Sequence, residues 1–68
     1  MALYVNVFDM YEGEELLAAG VSLLDAATVK AVREEDTDGE CDIVCYDVSS
    51  HKDVTHLVNL YTPYSDEY

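Results

Sequence analysis

Ser22-Leu-Leu-Asp-Ala-Ala-Thr-Val-Lys-Ala-Val-Arg-Glu-Glu35 is the stretch on which the fold turns. A serine followed three residues later by Asp25 approximates a capping box. The Ser22 hydroxyl can take up a free backbone N–H, and the Asp25 carboxylate stands at the positive end of the helix dipole. The pattern predicts a helix from about Leu23 to Glu35. At about 100° per residue, Leu24, Ala27 and Ala31 gather on one face with Leu23 and Val32 flanking them, and Lys30 and Arg33 fall on the other side. Such a helix lays its apolar stripe on a sheet and turns its two basic residues outward.

Upstream, Leu3 to Met10 is rich in β-branched and aromatic residues with Leu3, Val5 and Val7 in alternation, which reads as a strand. Tyr11-Glu-Gly-Glu-Glu15 is a polar turn around Gly13, and Leu16 to Val21 resumes apolar, so the two runs form a hairpin. A short helix over Glu14 to Ala19 is the competing reading, because Glu, Leu and Ala favour one. Downstream, a polar break at Glu34 to Glu40 precedes Cys41 to Val48, which has the composition of a strand. Ser49 to Asp53 is the next turn. Val54 to Thr62 reads as a last strand ending before Pro63, although Leu57 and Tyr61 stand at helical spacing. The expected architecture is α+β: ββαββ, a four-stranded antiparallel sheet with one helix packed on one face. Residues 1–62 form the domain and 63–68 an acidic, tyrosine-rich tail. The expected core is Leu3, Val5, Val7, Leu24, Ala27, Ala31, Ile43, Val44, Val58 and Leu60.

A chain of 68 residues has room for one thin core. No apolar run approaches the roughly 20 residues of a membrane span, and no basic segment precedes an apolar one at the start, so the expected location is the cytoplasm without membrane contact. The outlying property is charge. Fifteen Asp and Glu stand against Lys30, Arg33 and Lys52, for a formal charge of −12. A charge of magnitude about 2–8 suffices for solubility, and the excess repels itself in the compact state. The surplus points to use by a basic partner.

Two features carry the candidate partner-binding residues. From Glu34 to Asp42, six of nine residues are acidic: Glu34, Glu35, Asp36, Asp38, Glu40 and Asp42. Glu40 and Asp42, placed on a strand, would present carboxylates about 6.6–6.8 Å apart, of the order of the phosphate spacing along a nucleic acid. A solvated loop is the plainer account of the run. The tail contributes Tyr64, Asp66, Glu67 and Tyr68, tyrosine being a favoured interface anchor, with a frayed terminus as the alternative.

Metal and catalytic patterns are incomplete. Asp36-Thr-Asp-Gly39 shares part of a calcium loop, but its glycine comes fourth rather than sixth and Asp47, not Glu, occupies the twelfth position. Cys41, Cys45, His51 and His56 lack the central gap of a zinc finger, and α-carbons four residues apart on a strand, about 13 Å, are beyond disulfide reach. A Cys–His nucleophile would have no oxyanion loop beside it, so neither cofactor, metal nor catalytic residue is expected.

In size, charge and architecture over the whole chain, the sequence resembles the small acidic phage-encoded anti-defence proteins, anti-CRISPR and anti-restriction inhibitors that include many DNA mimics. The resemblance implies a non-catalytic inhibitor in the host cytoplasm. It would occupy the basic nucleic-acid-binding site of a nuclease, CRISPR effector or other DNA-binding protein without binding nucleic acid itself. It leaves a homodimer open. The alternatives are a halophile-adapted domain, in which the charge answers to high salt, and an acidic antitoxin or regulatory subunit of a basic partner.

Overall fold

A computed structural model describes residues 3–61. Strands β1 (Tyr4–Asp9), β2 (Glu15–Ser22) and β3 (Ile43–Asp47) form one antiparallel sheet in the order β2-β1-β3. Because β2 and β3 each run against the central β1, they run parallel to one another, and α1 (Leu23–Asp36) carries the chain between them. A short helix, α2 (Thr55–Asn59), packs on β3 and against α1, on the same face of the sheet. Among the described residues, no helix is long and apolar enough to cross a membrane.

The expected four-stranded sheet with one helix is therefore corrected to three strands and two helices, and the segment read as a last strand is the one that changes. Val54 and Val58, four residues apart, are both buried, and Leu57 packs beside them. This helical period is what the core takes up. Asp53 starts the turn by accepting the Thr55 N–H at 2.9 Å. What remains of a fourth strand is a single bridge, Tyr46 with Asp53, along the outer edge of β3. There the Asp47 N–H donates to the Lys52 carbonyl and the Val54 N–H to the Cys45 carbonyl, each at 2.8 Å. The edge is thereby closed to further pairing.

The hairpin forms as expected, but with two irregularities in β2. Val7 pairs with Ala18 and Phe8 with Leu16, so Leu17 is an extra residue; Val5 pairs with Val21, so three steps of β2 answer two of β1. Bulges of this kind bend a strand and blunt it as an edge. Gly20, at φ +64°, sits in the second bulge and donates its N–H to Asn6 Oδ1 at 2.9 Å. A side chain with a Cβ is disfavoured at that φ.

The core is made of small side chains: Val5, Val7, Ala26, Ala27, Ile43, Cys45, Val54 and Val58. Ser22 caps α1 as its sequence implies, its Oγ accepting the Asp25 N–H at 3.1 Å. The helix is rolled from the expected setting. Ala26, Ala27 and Ala31 are buried, while Leu24 (59% exposed) and Val32 face out. Arg33 does not point away from the sheet: it reaches Asp9 on β1 and Glu15 on β2. Apolar counting around the wheel missed this because the partners of Arg33 lie on strands far away in sequence. Leu60 is exposed, and Val44 is half-buried on the face of the sheet away from the helices.

Candidate functional site

The end of the molecule where β1 finishes is built by three segments. The hairpin turn 10–14 leaves β1 there, β3 begins there opposite Asp9, and α1 ends there. Asp9 joins them. The residue is 4% exposed, yet Oδ1 accepts the N–H groups of Tyr11 and Asp42, each at 3.0 Å, and Oδ2 accepts the Arg33 Nε–H at 2.8 Å. Arg33 Nη2 continues to Glu15 Oε1 at 2.9 Å. The Asp42 N–H, then the Arg33 guanidinium and the Tyr11 N–H, hold the Asp9 carboxyl below the usual carboxylate value. Hydrogen bonds to an ionised oxygen favour the ionised form.

The helix end is closed by the turn that follows it. Thr37 N–H and Oγ1–H both donate to the Arg33 carbonyl, and the Gly39 N–H donates to the Glu34 carbonyl at 2.8 Å. Asp38 and Gly39, at φ +57° and +86°, make the left-handed turn that brings the chain back toward β3.

Between the hairpin turn and this return lies an open cleft of about 620 Å³, lined by Asp9, Tyr11, Glu12, Glu14, Glu15, Arg33, Thr37 and Glu40 among others. Arg33 is engaged by Asp9 and Glu15, and Lys30 by Glu34 at 2.7 Å. Glu12, Glu14, Asp36, Asp38 and Glu40 are exposed and, among the described residues, form no side-chain hydrogen bond or ion pair. Glu34, Glu35 and Asp36 occupy the last turn of α1, where the dipole disfavours negative charge.

The expected acidic run is thus at this end but not as a ladder. Glu40 and Asp42 precede β3, which starts at Ile43, so strand spacing does not relate them. Glu40 lines the cleft, Glu34 is half-buried against Lys30, Asp42 is tied to Asp9 through its backbone N–H, and Asp36 lines a separate groove with Leu17 and Val32, while Glu35 and Asp38 belong to the last turn of α1 and the turn after it. Tyr64, Asp66, Glu67 and Tyr68 lie outside the described residues. Sequence reasoning missed Asp9, Glu12, Glu14 and Glu15. The signal lay in the strand order: a hairpin turn and a helix-to-strand loop meet at one end when β3 pairs antiparallel with β1.

Elsewhere, Cys45 is buried and its thiol is pushed up to about 11, mainly by desolvation. Cys41 is half-buried, and His51 and His56 are exposed, in the turn after β3 and on α2. No group of three His, Cys, Asp or Glu side chains among the described residues is placed to hold a metal ion. Comparison with family models, curated proteins and solved structures gave no match.

Proposed function

We propose that this chain is a non-catalytic acidic binding domain whose cleft end engages a basic protein surface that otherwise takes up nucleic acid. The observation that carries the reading is the convergence of Glu12 and Glu14 from the hairpin with Glu40 from the loop before β3 on one cleft, on the scaffold of Asp9. These carboxylates repel one another and have no side-chain partner among the described residues, so packing gives no reason to collect them. A ring of lysine and arginine side chains supplies the missing counter-charge. It would also steer encounter and be denied to phosphates while occupied.

The halophile alternative asks for carboxylates spread over the surface, whereas here Tyr4, Asn6, Phe8, Leu16, Val44 and Tyr46, on one whole face of the sheet, include none. The mimicry reading is tested by immobilising the protein, capturing nucleic-acid-binding proteins from host lysate, and challenging the captured material with duplex DNA. Displacement by DNA at constant salt is expected. Retention against saturating DNA, with release by salt alone, would move the binding site away from the partner's nucleic-acid channel.

A further inference from the structure

The face of the sheet away from the helices has the composition of an anchor. Cross-strand partners project to one side, so Phe8 with Leu16 and Val44, and Asn6 with Tyr46, place these side chains together, with Tyr4 on the same alternation. Phe8 and Tyr46 meet edge to face with ring centroids 5.8 Å apart. Tyr4 and Leu16 are 50% and 54% exposed, and none of the six side chains is buried. On the other face of the same strands, Val5, Val7, Ile43 and Cys45 are all buried beneath the helices.

A second copy of this chain fits that face poorly. Three strands of 6, 8 and 5 residues span a footprint of roughly 300 Å², small beside the roughly 800 Å² per partner of a stable interface. Two copies would also each bring a charge of −12. A cationic partner fits better, because the exposed Glu14 and Asp42 stand two residues before Leu16 and Val44, where this face reaches the cleft end. An apolar centre beside a charged rim is the anatomy of a protein interface. Resting on the reading of the acidic end given above, we infer that the open sheet face is the anchoring half of the same interface. It takes a basic, amphipathic segment whose apolar side chains cover Tyr4, Phe8, Leu16, Val44 and Tyr46 while its lysines or arginines meet the acidic end.

The test titrates the isotope-labelled full chain with two synthetic peptides of equal length and charge, one alternating lysine with leucine and the other lysine with serine. At low salt both are expected to bind. At about 0.5 M salt, where exposed charges are screened, the leucine peptide should bind roughly tenfold or more tightly than the serine peptide, shifting the amides of Tyr4, Phe8, Leu16 and Tyr46. Tyr4→Ser with Leu16→Ser should abolish the preference, and Leu24→Ser with Val32→Ser, on the outer side of α1, should leave it intact. A preference that survived the first pair or vanished with the second would overturn the inference. Equal binding of the two peptides at high salt would overturn it too and leave the acidic-end reading standing. No binding of either peptide at low salt would sink both. If the first pair does not fold, the amide shifts of the wild-type chain decide, and shifts confined to 12–15 and 36–42 count against the sheet face.

Discussion

The carboxylates at the two ends of this molecule serve different purposes. Toward the end where α1 begins, each described Asp has local work. Asp25 stands in the first turn of α1, Asp47 accepts the Ser49 N–H and the hydroxyls of Ser49 and Ser50, and Asp53 accepts the N–H and hydroxyl of Thr55. The Ser49 N–H lowers the Asp47 carboxyl and the Thr55 hydroxyl lowers that of Asp53. At the cleft end, Asp9 and Glu15 are used in the same structural way, but Glu12, Glu14, Asp36, Asp38 and Glu40 have no such partner among the described residues. The contrast separates charge that holds the fold from charge that the fold merely holds in place.

Removing a structural carboxylate should therefore cost far more than removing a surplus one. Asp9→Ala should be the most damaging single change, lowering the melting temperature by on the order of 10 °C or more, because it strips three donors of their acceptor at once. Ser22→Ala removes the cap of α1 and should cost about 1 kcal/mol, roughly 4–8 °C in a scan of so small a domain. At the cleft end, Asp36→Asn with Asp38→Asn should move the midpoint upward by about 1–3 °C, the smallest effect of the set. A drop of several degrees there would erase the distinction between the two ends.

Titration sharpens the same comparison. The folded-state values of Asp9, Asp47 and Asp53 are lowered, so their contribution is complete above the unfolded value of about 4 and is lost as pH falls further through the lower folded ones. Denaturant midpoints should fall steeply below about pH 4, and less steeply in Asp9→Asn. Cys45 works in the opposite sense. Its thiol is raised from 9.0 to about 11, so the stability it confers is whole below pH 9 and lost as pH climbs toward 11. Alkylation at neutral pH should label Cys41 well before the buried Cys45.

Local signals in the chain foretold its local structure. Ser22 and Asp25 announced α1, the alternation of Val5 and Val7 announced β1, and Gly13 announced the hairpin turn. Two features were not legible. The inward turn of Arg33 joins it to Asp9 across 24 residues, which no periodicity within the helix encodes. Over residues 54–62 composition argued for a strand while Leu57 and Tyr61 stood at helical spacing, and the burial of Val54 and Val58, four residues apart, decided for a helix. The candidate site was half visible: the run from Glu34 to Asp42 stands out in sequence, but Glu12 and Glu14 join it only once strand order is known.

The most direct measurement is a paired one on a single variant, Glu12→Gln, Glu14→Gln, Asp36→Asn, Asp38→Asn and Glu40→Gln together, compared with the wild-type chain for thermal midpoint and for affinity toward the DNA-displaceable partner. The account predicts a midpoint unchanged or raised and an affinity reduced by about a hundredfold or more at low salt, most of the difference closing as salt screens the wild-type charges. A variant that melted several degrees earlier, or that bound as tightly as the wild type, would contradict it.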